Sequence, residues 1–86
     1  MLNSKLTINN IYTGKQTINT YDWTGVTIEF GGKGSDVAKI IPIVIGFQVY
    51  DGNHVPNVVL TAETAHSFSA SCYGIAAFKW MVIELI

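Results

Sequence analysis

The sequence predicts an all-β fold, a small antiparallel β-sandwich of six or seven strands, and three observations predict it. Apolar residues recur with a period of two rather than 3.6 along most of the chain. These runs are broken by turn residues at intervals of roughly eight to twelve positions, as in "FGGKGSD" and "YDGNH". No stretch carries an apolar stripe at helical spacing, an internal repeat or a linker. The 86 residues are therefore expected to form one domain, 1–86. A chain of that size buries only about 60–65% of its unfolded surface, so its core is thin.

The elements follow in order. "KLTINNIY" and "QTINTY" read as two short, polar strands around a turn at Thr13-Gly14-Lys15. In "GVTIEFGG", Val26, Ile28 and Phe30 share one face and Thr27 and Glu29 the other, a half-buried strand closed by two glycines. "KIIPIVIGFQVYDGN" alternates Ile41, Ile43, Ile45, Phe47 and Val49 against Pro42, Val44, Gly46, Gln48 and Tyr50, ahead of an Asp-Gly turn. Pro42 belongs near the start of that strand or on an edge, because it cannot donate to a ladder. "NVVLTAE" points Val58, Leu60 and Ala62 inward; "HSFSASCY" does the same with Phe68, Ala70 and Cys72 and leaves Ser67, Ser69 and Ser71 outside.

The last strand, "AAFKWMVIELI", is the most apolar. On a helix its two charges, Lys79 and Glu84, lie about 140° apart and leave no single polar face. On a strand they have opposite parity. Each face then carries one charge among large apolar groups: Phe78, Trp80, Val82 and Ile86 on one side, Ala77, Met81, Ile83 and Leu85 on the other. A strand apolar on both faces wants protein on both. One face meets the partner sheet and the other a second subunit, with Phe78, Trp80, Met81, Ile83 and Leu85 as the interface set. Composition agrees, since 13% charged and 49% hydrophobic residues leave little charge to cover a free surface, against roughly 25% charged in an average domain.

Charge excludes other classes. The net charge is −1, there is no arginine, and Lys5, Lys15, Lys33, Lys39 and Lys79 are scattered. No basic stripe replaces phosphate counterions, so nucleic acid is not an expected partner. "IIPIVIGF" is an eight-residue apolar run interrupted by Pro42 and Gly46, far short of the roughly 18–20 needed to span a bilayer, so no membrane partner is expected either. "MLNSKLTINN" lacks the apolar segment and cleavage site of a signal peptide.

No catalytic constellation emerges. Cys72 is the only cysteine, and its inward, apolar position argues against a reactive thiolate. "GGKGSD" lacks the order of a phosphate loop and is expected to be a flexible hairpin loop. Ser67, Ser69 and Ser71 lack a nucleophile elbow. His54 and His66 are twelve residues apart, with no carboxylate or cysteine at ligand spacing. The chain is therefore expected not to be an enzyme and to hold no metal or cofactor.

Alternating strand directions sort the loops. Residues 31–39 and 64–66 fall at one end of the sandwich; 20–25, 51–56 and 74–76 fall at the other. The second end carries Tyr21, Asp22, Trp23, Tyr50, Asp51, Asn53, His54 and Tyr73. Aromatic faces beside carboxylate, amide and imidazole suit a sugar, whose C–H faces stack on rings while its hydroxyls need donors and acceptors. Tyr21, Asp22, Trp23, Asp51, Asn53, His54 and Tyr73 are the expected ligand contacts.

The succession "VTIEF", "IIPIVIGFQV", "VVLTAET", "AHSFSASCY" and "FKWMVIEL" resembles the H-type lectin fold and related domains that end many bacteriophage tail fibres. Phe30 closing a strand, Pro42 with Ile43 and Val44 opening one, the turn from Thr61 to Thr64 into Ser67-Phe68-Ser69-Ala70, and Trp80 with Met81 to Ile83 carry the likeness over roughly residues 24–85. The resemblance implies a homotrimer on a virion or otherwise outside the cell, binding a host-surface glycan or receptor beside other fibre or virion proteins. Two departures stand out: the segment from Cys72 to Phe78 is shorter than the corresponding lectin loop, and the arginine such lectins bring to the sugar has no counterpart. N-acetylgalactosamine specificity is therefore not implied. The other reading of the same sandwich is a trimerisation, capping or decoration protein of a virion, without a ligand.

Overall fold

The computed structural model describes residues 7–86, which form two three-stranded antiparallel sheets packed as a sandwich. The strands are β1 Ile8–Thr20, β2 Thr24–Glu29, β3 Ile40–Val49, β4 Asn57–Glu63, β5 Ser67–Tyr73 and β6 Ile75–Leu85. Sheet A has the order β1-β6-β3 and sheet B the order β2-β5-β4. Only β4 and β5 are joined as a hairpin within one sheet; every other connection passes from one sheet to the other. A 3₁₀ turn, Val37–Lys39, follows the glycine-rich loop and is capped by the Asp36 carboxylate on the Ala38 amide.

The count is six because the amino-terminal region is one strand of 13 residues, not two around a turn. The apolar β6 offers a ladder long enough to pair β1 from Ile8 to Thr20. Gly14 has a different purpose from the expected one. A Cβ at this position would overlap the indole of Trp80, so its lack of a side chain lets the β1 backbone lie on that ring.

The core lies between the sheets. Ile28, Phe30, Ile40, Phe68, Ala70, Cys72, Ile75, Phe78, Trp80 and Val82 form it, as the alternation in β2 and β5 predicts. Phe68 of sheet B meets Trp80 of sheet A edge-on at 5.8 Å, and Tyr12 meets Phe30 at 5.2 Å. Burial raises the pKa of the Cys72 thiol, which keeps it protonated and unreactive at neutral pH.

Parity breaks in β3 and β4, one edge strand of each sheet. In β3, Val44 opposes Trp80 but Gly46 opposes Lys79, so Ile45 is an extra residue. Beyond this bulge Phe47, opposite Phe78, falls on the inner face, while Ile41 and Ile43 fall on the outer one. The expected uninterrupted face from Ile41 to Val49 does not exist. A second irregularity between Leu60 and Ala62 puts Ala62 opposite Ser69, outside rather than inside. Pro42 does lie on an edge, opposite Val82.

β6 has two faces as parity predicts, but they divide the interface set. Phe78 and Trp80 are 1% and 9% exposed within the single chain; they belong to its core, since sheet B covers them, and are not available to a second subunit. Met81, Ile83 and Leu85 lie half-buried on the outer face. Across the three strands this face reads Ile11–Ile83–Ile41, then Thr13–Met81–Ile43, then Lys15–Lys79–Gly46. The outer face of sheet B is polar instead, with Thr27 and Ser69 bonded at 2.9 Å. Glu84 shares the inward face with Val82 and is 6% exposed. Its Oε1 accepts from Asn9 Nδ2 at 3.1 Å and Tyr12 OH at 3.3 Å, whereas its Oε2 has no partner among the described residues.

Candidate ligand-binding site

Three sheet-changing connections meet at one end: β1 to β2, β3 to β4 and β5 to β6. The third is a single residue, Gly74, with φ of +64°. That conformation favours glycine, and a Cβ there would also stand 3.2 Å from His54 Cβ and 3.3 Å from the Val55 carbonyl. Gly74 therefore lets the residue 50–56 loop lie against the start of β6. The Tyr50 amide donates to the Gly74 carbonyl at 2.8 Å and fixes the contact.

The 21–23 connection is held by Thr20, a buried hydroxyl that accepts from the Asp22 amide at 3.0 Å, donates to the Asp22 carbonyl and bonds Thr24 Oγ1 at 2.9 Å. A bulge between Thr17 and Thr20, with Asn19 at φ of 50°, turns β1 into this position. Asp22 Oδ1 accepts from the Trp23 amide at 2.8 Å. Tyr21 and Trp23 are thereby displayed outward, and Trp23 is 53% exposed.

The rings form one continuous group. Tyr50 lies 5.9 Å from Tyr21 and 6.4 Å from His54; His54 lies 5.8 Å from both Tyr21 and Tyr73; Tyr73 lies 5.5 Å from Trp23. All are tilted or edge-on pairs, the arrangements ring quadrupoles favour.

Asp51 organises the polar edge. Its Oδ1 accepts from the amides of Asn53 at 2.9 Å and His54 at 3.0 Å and from His54 Nδ1 at 2.7 Å. The imidazole hydrogen bond, followed by the Asn53 amide, holds the Asp51 carboxyl below its ordinary pKa. An ionised carboxylate only accepts, so His54 carries its proton on Nδ1 and, when neutral, leaves Nε2 as a free acceptor. Beside the pair is an open depression of about 340 Å³ between Val49 and Pro56. It is a shallow surface for contact, not an enclosed pocket.

Of the expected contacts, the structure groups the rings of Tyr21, Trp23, His54 and Tyr73, adds Asp51 through its bond to His54, and places Asp22 and Asn53 on the same loops. Tyr50, Thr20 and Gly74 belong to the same end but were not among them. Tyr50 stands next to the Asp-Gly turn signal, and Thr20 stands two residues before Asp22, the spacing of a hydroxyl-capped turn; those were the available signals. The imidazole of His54 has a carboxylate partner three residues earlier, Asp51, as a hydrogen-bond acceptor. No group of three or more potential metal ligands occurs among the described residues.

At the opposite end His66 Nε2 bonds the Gly34 carbonyl at 2.8 Å, and the Phe30 amide donates to the His66 carbonyl at 3.1 Å. This ties the 31–39 loop to the β4–β5 hairpin. Compared with known proteins, the chain matches no family model, no curated protein and no solved structure.

Proposed function

We propose that the chain is a non-catalytic binding module, similar to an H-type lectin, that assembles as a homotrimer at the tip of a phage tail fibre or comparable adhesin and contacts a host-surface glycan or receptor. The observation that carries this reading is the continuous five-ring cluster edged by the Asp51–His54 pair. Rings supply stacking faces, while His54 Nε2 and the second Asp51 oxygen are open to ligand hydroxyls. Shallow sites bind weakly, and three on one trimer gain apparent affinity through effective concentration. Met81, Ile83 and Leu85, with Ile11, Ile41 and Ile43 beside them, supply an apolar face for self-assembly.

The same apolar face favours a second reading, a structural knob or decoration protein of a virion with no ligand of its own. Adsorption of fluorescently labelled protein to a panel of bacterial cells separates the two. The binding module is expected to adsorb to some surfaces, and Asp51→Ala or His54→Ala to weaken it. Absence of adsorption, or adsorption indifferent to both substitutions, leaves the structural reading.

A further inference from the structure

We infer that the outer face of sheet A carries an oxyanion-binding site, built around Lys15 and Lys79, beside the apolar rows proposed for self-assembly and distinct from both them and the ring-lined end. The two lysines are register partners on β1 and β6 and both are exposed. Like charges placed directly opposite each other repel, and among the described residues neither has an acidic partner in ion-pair range. The rows on either side, Thr13–Met81–Ile43 and Thr17–Ala77–Gln48, contain no acid. An anion between the two ammonium groups removes the repulsion.

The surface there is concave. The bulge at Ile45 brings Gly46 opposite Lys79, and a Cβ at Gly46 would meet nothing within 4 Å. This missing side chain opens a depression of about 290 Å³ lined by Lys15, Lys79, Gln48, Ala77, Gly46 and Ile45, which passes over the β3 bulge to reach Phe47 and Phe78 of the inner face. It is close to the lower limit of about 300 Å³ for small-molecule sites. Two ammonium groups supply charge-assisted donors and the Gln48 amide a neutral one. The apolar floor beside them suits an oxyanion carried on a small organic body, as in a uronic or sulfated sugar. Only this choice of sugar as carrier rests on the carbohydrate reading above.

The test is titration of ¹⁵N-labelled protein with glucuronate, glucose 6-sulfate and glucose, followed by amide chemical shifts. One or both anionic sugars are expected to shift Lys15, Gly46, Gln48 and Lys79, and which one does so identifies the oxyanion; glucose is expected to leave them unmoved. Lys15→Gln/Lys79→Gln should weaken binding roughly tenfold or more, the effect of losing charge-assisted hydrogen bonds. Gly46→Val, whose Cβ enters open space at the depression, should block binding while the rest of the spectrum stays native. Trp23→Ala should leave this binding intact, so failure of the ring-end reading is separately visible. No shift with either anion, equal shifts with glucose, or binding that survives the double lysine substitution overturns the inference.

Discussion

The two ends of the sandwich each contain one histidine, and the two imidazoles have opposite surroundings. His66 gives its ring nitrogen to the Gly34 carbonyl, while its backbone accepts from Phe30; the side chain fastens one loop to another. His54 bonds a side-chain carboxylate and sits among three tyrosines. Where the imidazole is spent on a backbone carbonyl, a loop is fixed and little of the ring is left to offer. Where Thr20 and Gly74 hold the backbone, the neighbouring rings are free for another molecule.

The largest effect should strike both ends together. Phe68→Ala removes a fully buried ring packed on Trp80 and is expected to cost about 3–5 kcal/mol in a denaturant titration, with the spectra of both ends lost in one transition. The glycines then separate the ends. Gly74→Ala meets a φ of +64° and close contacts with His54 and Val55; about 1–3 kcal/mol and displaced His54 and Tyr50 resonances are expected. Gly31→Ala at the other end has a φ of +82° but open space around it, so only the backbone penalty of about 1–2 kcal/mol should appear, with the ring cluster unmoved. Equal disturbance of the ring cluster by both substitutions would contradict the division.

The smallest effect is with pH. Asp51 has a folded pKa below its ordinary value, so its contribution is complete above the unfolded pKa of about 4 and is lost as pH falls through the lower, folded value. Loosening of the Asn53 and His54 amides in that acidic window, followed by NMR, is expected at the ring-lined end alone. Asp51→Asn should abolish this acid dependence.

Much of the fold was legible because alternation is a local signal. β2, β5 and β6 follow it, and the sorting of loops to two ends depends only on alternating strand direction. The face assignments of β3 and β4 failed for one cause: a bulge adds one residue and reverses every face after it, and nothing in "IIPIVIGFQV" marks Ile45 as extra. Gly14 was misread as a turn because its partner, Trp80, is 66 positions away in sequence. At the candidate site, residue types identified the rings and Asp51. They did not identify Thr20 or Gly74, whose importance arises from contacts between loops.

A glycan array probed with wild type and Trp23→Ala asks whether the ring-lined end is the contact surface proposed above. Trp23 is half exposed, so its removal should spare the fold, and loss of an exposed stacking ring should cost about 2 kcal/mol of binding, roughly thirtyfold. Wild type is expected to give glycan signals that fall by about this factor in Trp23→Ala. Signals of equal strength for the two proteins, or no glycan signal from a folded wild type, would overturn the assignment of the contact surface to this end.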